Sequence, residues 1–245
     1  MVSPTSAYRP AWNAARAFCR VSSPSAISVT ESGALTPFPH LRSELSTWNW
    51  GFTSPGAGQP ETIKGLLSPG QYRAAASVGT SGATGDFTLT LNNSSLDVGC
   101  EDAIAFGTLA LTQQLQTTDC KFTGTTQYYD DFAVGLPPGA SVSASVSGTP
   151  FIPFVGVFLD TSYVAFQNGA TSTGASTSYT NASTTGQFVD VVVSSTNVSS
   201  IRTGAYALAL TITIPPGTSA APNRIATAPM IPRSSRRLAI RTPPR

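Results

Sequence analysis

Apolar and polar residues alternate with a period of two over two stretches of the chain. Tyr206, Leu208, Leu210, Ile212 and Ile214 alternate with Ala205, Ala207, Ala209, Thr211 and Thr213. Successive strand side chains point to opposite faces, so this pattern predicts a half-buried β-strand. Tyr72, Ala74, Ala76 and Val78 predict another, and Phe87, Leu89 and Leu91 a third. The Gly/Ser-rich segment 79–85 between these last two predicts a β-hairpin. A second hairpin is expected where Gly186-Gln187-Phe188 opens a strand through Val193 and a Ser/Thr/Asn turn leads to Gly204. Strands are also expected over 108–115, 128–134, 141–146 and 163–167, with a turn at Leu136-Pro137-Pro138-Gly139. The nearly continuous apolar run 151–159 reads as a strand buried on both faces. Segment 168–185 reads as a loop with one weak strand. One conflict of parity stands at 188–193: either a bulge keeps both Phe188 and Asp190 from pointing inward, or Val189, Val191 and Val193 form the core face.

So many short strands separated by turn residues predict an all-β chain with a jelly-roll-like antiparallel β-sandwich. The two expected hairpins also resemble each other. Gly70-Gln71-Tyr72 with Thr84-Gly85-Asp86-Phe87 matches Gly186-Gln187-Phe188 with Thr203-Gly204-Ala205-Tyr206. This is read as an internal repeat. Residues 31–97 form a partial copy that keeps its C-terminal half, and residues 98–214 a complete one. Residues 1–30 are expected to be a disordered or misassigned lead-in, with at most one short helix over 11–18. Residues 215–245 are expected to be a disordered Arg/Pro-rich tail. Off-frame translation of one or both ends is the expectation for their composition.

Composition sharpens the compartment. The chain is 40% hydrophobic and 11% charged, enough apolar residue for a core and too much for a disordered chain. The net charge of +2 hides an asymmetry. Residues 22–214 hold twelve acidic and five basic residues, whereas 215–245 hold six arginines and no acid. An acidic folded part argues against a nucleic-acid-binding face. No run of about 18 apolar residues exists, so no transmembrane helix is expected. No apolar signal-peptide core follows the N-terminal arginines.

Catalytic chemistry is hard to assemble. His40 is the single histidine, no Gly-x-Ser-x-Gly elbow is present, and a Ser-His-Asp machine has no other imidazole to use. His40 is therefore expected at a surface or edge. Asp130 and Asp131, in Tyr128-Tyr129-Asp130-Asp131-Phe132, are adjacent on an expected strand and should face opposite sides. A structural role is expected for them rather than a shared metal or acid–base site. Trp48, Trp50 and Phe52 would share one strand face, as core or as an exposed platform for sugar stacking. Asn92, Asn93, Asn181 and Asn197 begin glycosylation sequons, which matter only in a glycosylating host.

The ordered set Gly107-Thr108-Leu109, Thr118-Asp119-Cys120, Tyr128 to Phe132, Leu136-Pro137-Pro138-Gly139, Phe154-Val155, Gly186-Gln187-Phe188 and Thr203-Gly204-Ala205-Tyr206 resembles the bacterial prepeptidase C-terminal domain. The resemblance covers roughly residues 98–214, with a second-half match over about 36–92. It implies a jelly-roll-like sandwich, export, and an accessory role beside secreted peptidases or other surface proteins. Members of that family often carry an acidic cluster where this chain has Gln167-Asn168-Gly169, so the resemblance does not carry a calcium site over. In such an export-type domain Cys100 and Cys120, flanking the first strand, are read as a disulfide, leaving Cys19 over. The expected function is non-catalytic: an exported accessory module, extracellular or in the cell envelope, that binds or presents at a surface. The alternatives are a substrate-recruiting or processing appendage of a secreted peptidase, and a carbohydrate-binding module. The expected partner is an extracellular or cell-surface protein or polysaccharide. No cofactor is expected, calcium being the one ion kept in view.

Overall fold

The computed structural model describes residues 5–8, 16–21, 25–33, 40–43, 49–51, 59–75, 87–93, 103–106, 108–160, 162–171 and 173–216. Every regular element among them is a β-strand, and the architecture is an all-β sandwich of antiparallel sheets. The chain divides into two compact units, whose described residues lie within 1–95 and 96–218.

The first unit holds β1 (Thr5–Tyr8), β2 (Arg16–Val21), β3 (Ser25–Gly33), β4 (His40–Ser43), β5 (Asn49–Gly51), β6 (Glu61–Leu67), β7 (Gly70–Ala75) and β8 (Phe87–Asn93). One sheet runs β1-β2-β7-β4-β5, and a second ladder runs β6-β3-β8. Leu66, Leu67, Tyr72 and Ala74 are buried there. The stretch 1–30, expected to carry no strand, holds β1, β2 and the start of β3. Its signal is weak because arginines take two of the six places in β2 and only Ile27 and Val29 are large and apolar in β3. The other residues of that lead-in, and the tail from 217 onward, lie outside the described residues, so the expectation of disorder there does too.

The second unit holds β9 (Ala103–Phe106), β10 (Leu109–Leu115), β11 (Cys120–Lys121), β12 (Tyr128–Leu136), β13 (Ser141–Ser147), β14 (Pro153–Leu159), β15 (Ser162–Asn168), β16 (Gly174–Thr180), β17 (Gln187–Ser195) and β18 (Gly204–Thr213). One sheet runs β15-β14-β17-β12, with β11 antiparallel and the short β9 parallel on the far side of β12. The opposing sheet runs β10-β18-β13-β16. Cross-strand partners share a face, so the register defines the core. Phe132 lies opposite Val191, Val134 opposite Val189, and Val155 and Val157 opposite Val193 and Val191. All of these are buried, and so are Leu109, Leu111 and Leu115 of β10, Tyr206, Leu208 and Leu210 of β18, and Val142, Ala144 and Val146 of β13. The alternation read at 141–146 and 204–214 is the alternation of this inner face. The parity conflict at 188–193 resolves to the valines: the β12–β17 register runs without a shift, and Val189, Val191 and Val193 face the core. The 151–159 run is buried on both faces as expected, and β12 and β17 share that property.

Neither expected hairpin forms. β7 pairs with β2 and β4, and β8 pairs with β3. β17 pairs with β12 and β14, and β18 with β10 and β13. The second connection is too long for a tight turn and crosses from one sheet to the other. It is a braced crossing: Ser199 donates its hydroxyl to Ile201 O at 2.6 Å, and the Arg202 guanidinium bonds Thr196 O and Asn197 O. Its closing glycine, Gly204, has φ +138°, and a Cβ there would collide with the Pro150 ring. Segment 168–185, read as mostly loop, contains β16, seven residues fully paired to β13. As an edge strand of Ser and Thr with few large apolar residues, β16 carries little periodic signal.

The strand orders of the two units correspond one to one. β5-β4-β7-β2-β1 reads as β15-β14-β17-β12-β11, and β6-β3-β8 as β16-β13-β18. Registers correspond as well: Ile27–Asn93, Val29–Leu91 and Glu31–Leu89 in the first unit stand where Val142–Ile212, Ala144–Leu210 and Val146–Leu208 stand in the second. The correspondence of strand order covers eight strands in each unit.

Candidate functional site

β12 carries the two adjacent acids to opposite faces. Asp130 points into the core between the sheets and is fully buried, where its Oδ2 accepts the Tyr206 hydroxyl at 2.5 Å. This bond ties β12 of one sheet to β18 of the other. Asp131 lies on the outer face of its sheet, opposite Val192. Asp190, opposite Ala133, occupies the diagonal position on that same outer face, and both are buried. Sequence reasoning missed this second pairing, because Asp131 and Asp190 meet only through the β12–β17 register. Among the described residues no group of three or more His, Cys, Asp or Glu could hold a metal ion. Asp119 acts locally, its Oδ2 accepting the Gln116 N–H at 2.5 Å and closing the turn after β10.

The outer face is aromatic around those acids. Phe122 stacks on Tyr129 with centroids 4.6 Å apart. Phe158 and Val192 join them, with Cys120 and Tyr163 packed alongside. From there rings continue to the edge of the sheet. Tyr163 contacts Phe158 at 4.2 Å and Phe154 at 5.8 Å, and Phe166 contacts Tyr163 at 5.4 Å. A register shift between Val157 and Phe158 allows this, since it puts Tyr163 and Phe166 of β15 on one side. Burial pushes the Tyr163 phenol up to about 12. Phe166 is the exposed ring of the strip, 40% accessible, and Val164 of the same strand is 37% accessible. The strip thus runs from a closed aromatic core to an open edge strand, a surface suited to stacking on a flat apolar ligand face.

Of the residues singled out by sequence, Trp50 lies in β5, opposite Leu41 of β4. β5 holds the place in its unit that β15 holds in the second, the edge strand beyond the strand next to the sheet centre. Trp48 and Phe52 lie outside the described residues. His40 opens β4, opposite Ala75 and Gly51. Cys120 is half-buried at the start of β11. Cys100 lies outside the described residues. Asn181 is buried, its amide donating to Leu136 O and Thr185 O at 2.9 and 2.8 Å, whereas Asn197 is exposed.

No family model matches the chain, and no curated protein matches it. Three solved structures illustrate how distant its structural neighbours are. The conserved protein of unknown function PA5104 from Pseudomonas aeruginosa PAO1 is 8% identical, with 84% of this chain and 85% of that one covered, at a TM-score of 0.19. The infectious bursal disease virus Gt strain structure is 14% identical, with 80% and 59% covered, at 0.24. A β-porphyranase of glycoside hydrolase family 86 from Bacteroides plebeius is 10% identical, with 87% and 37% covered, at 0.17. Scores this low carry no argument about fold or function. Among the described residues no helix is long and apolar enough to cross a membrane.

Proposed function

We propose that this chain is a non-catalytic, exported accessory protein built from two copies of one sandwich domain, of the kind the prepeptidase C-terminal resemblance implies. In this reading it holds a surface outside the cell, a polysaccharide or a surface protein. The observation that carries the reading is the aromatic strip from Tyr129 to the open edge at Phe166. The matching edge strand of the first unit contains Trp50. The acids fit a structural role, since Asp130 and Asp119 accept hydrogen bonds from the chain itself. The corresponding strand orders support the duplication. A disulfide at Cys120 supports an oxidising compartment, and the pairing proposed is Cys100–Cys120.

Retention on insoluble polysaccharides, cell-wall fragments and immobilised surface proteins tests the function. The double substitution Val164→Ser and Phe166→Ser should weaken retention about tenfold, equivalent to about 1.4 kcal/mol, without unfolding the chain. Unchanged retention removes the strip as the binding face. Carbohydrate is the ligand class that the ring-lined edge favours. Unreduced peptide mapping tests the disulfide: one linked Cys100–Cys120 peptide is expected, and linkage of Cys120 to Cys19 refutes the pairing.

A further inference from the structure

The outer face of β15 presents three side chains in a row. Asn168 lies opposite Phe154, Phe166 opposite Gly156 and Tyr163 opposite Phe158, so all three share the face that carries the aromatic strip. The Phe166 ring is braced by two others. Phe154 stands 6.2 Å from it at 31° and Tyr163 5.4 Å from it, while 40% of Phe166 stays accessible. Gly156 makes that support possible: a Cβ there would stand 2.8 Å from the Phe154 ring, so glycine leaves the room which that ring takes. Asn168 is fixed by the chain on either side of it. The Gly169 N–H donates to Pro153 O at 2.8 Å. Gln167 turns to the opposite face, where its Oε1 accepts the Ser176 N–H of β16 at 2.6 Å. Among the described residues neither the exposed Asn168 amide nor the half-buried Tyr163 hydroxyl takes part in a hydrogen bond.

We propose that Tyr163, Phe166 and Asn168 form a subsite for one neutral pyranose unit of a polysaccharide. The C–H face of the sugar lies on the Phe166 ring, and its hydroxyls meet the Asn168 amide and the Tyr163 phenol. This rests on reading the strip as the binding face, and it narrows the ligand to one class. A pyranose has C–H bonds on its flat faces and hydroxyls around its rim. The amide offers two donors and an acceptor, and the phenol a donor and an acceptor, so each can meet a hydroxyl in either sense. Asn168 and Phe166, two residues apart on a strand, are separated by about 7 Å along it. The amide therefore stands at the rim of a sugar centred on the ring, and Tyr163 flanks the ring from the other side. An aliphatic peptide side chain or a lipid tail on Phe166 would cover both polar groups without bonding them, at the desolvation cost of each. An anionic sugar is disfavoured, because β14, β15 and β17 contain no lysine, arginine or histidine and their single charged residue is Asp190. Ring and amide are held in place before the ligand arrives, which lowers the ordering cost of binding.

Affinity electrophoresis of the full chain tests this, since retardation in a polymer-containing gel reports Kd even for weak binding. The neutral probes are hydroxyethylcellulose, xyloglucan, galactomannan and laminarin, and the anionic probes are polygalacturonate and alginate. Retardation by a neutral polymer is expected, with a Kd unchanged between about 0.05 and about 0.5 M salt because no charge is paired. Asn168→Ala should raise that Kd about fivefold and Tyr163→Phe about threefold, each losing one hydrogen bond to the sugar. Phe166→Ala should raise it about tenfold. Asn168 is exposed, so Asn168→Ala should leave Tm within about 2 °C of the parent chain, which separates lost binding from lost fold. Three results overturn the subsite: retardation by none of the neutral polymers, stronger retardation by an anionic polymer that salt abolishes, or a Kd unmoved by both Asn168→Ala and Tyr163→Phe. The last of these, with Phe166→Ala still weakening retention, leaves the strip standing as the binding face and removes the sugar contacts. Retention on an immobilised surface protein alone leaves the accessory reading and removes the subsite. Retention on no polysaccharide, wall fragment or protein removes both.

Discussion

Replacing Tyr206 with phenylalanine deletes one oxygen and leaves the packing volume of the ring in place. The consequence should nevertheless be large. Tyr206 and Asp130 are 1% and 0% accessible, and the phenol donates to the carboxylate at 2.5 Å across the gap between the sheets. Net contributions of hydrogen bonds to charged acceptors run to about 1.5–3 kcal/mol, and a buried acceptor that loses its donor adds a desolvation cost. No cavity forms, so the loss reports on the bond and not on the ring. A loss of about 2–3 kcal/mol is expected, or about 8–12 °C in Tm for a unit of this size. Urea unfolding followed by circular dichroism measures it. The expected result is a dichroism transition displaced to lower urea concentration. A loss below about 0.5 kcal/mol, the range of ordinary surface substitutions, refutes the reasoning that this bond joins the sheets.

Three further outcomes follow from named contacts. Gln113 is buried on the inner face of β10, and neither end of its amide has a hydrogen-bond partner among the described residues; Gln113→Leu should therefore stabilise the chain by about 1–2 kcal/mol in the same urea experiment, and a loss of stability contradicts this. Asn181→Ala removes the amide that bonds Leu136 O and Thr185 O, together with the acceptor of the Ser183 N–H and hydroxyl, and should cost about 2–4 kcal/mol by urea unfolding. Burial raises the Tyr163 phenol to about 12, so the folded state holds its proton more tightly than the unfolded state. Its contribution is complete below pH of about 10 and is lost as pH rises through about 12; Tyr163→Phe should remove one late-titrating phenol from the ultraviolet titration and flatten that loss.

The alternating inner faces of β10, β13 and β18 are legible because each of these strands is half-exposed, and a strand with one wet face writes its parity into the sequence. β14 is legible as a fully buried run. The partnerships are not. A Ser/Thr/Asn segment between two strand-like stretches reads as a hairpin, yet β17 and β18 belong to opposite sheets. What decides this is that β12 and β14 take the two edges of β17 and leave none for β18, and periodicity does not report neighbours. The outer face is hidden for a related reason: Asp131, Asp190, Phe158 and Tyr163 come together through register, from strands far apart in the chain. The opposite facing of Asp130 and Asp131 is predictable because it needs only the pleat.

The pairing of β10 with β18 has a consequence for the order of events during folding. The first long strand of the second sheet finds its partner only in the last strand of the unit, Leu109 opposite Leu210. Since β17 and β18 do not zip together locally, no hairpin at the C-terminal end can nucleate that sheet. Contacts of such long sequence separation make folding slow, because the chain loses loop entropy before the ladder compensates for it. The middle of the second sheet stays open until residues 204–213 have been synthesised. A unit built this way completes its core only after its last strand has been made.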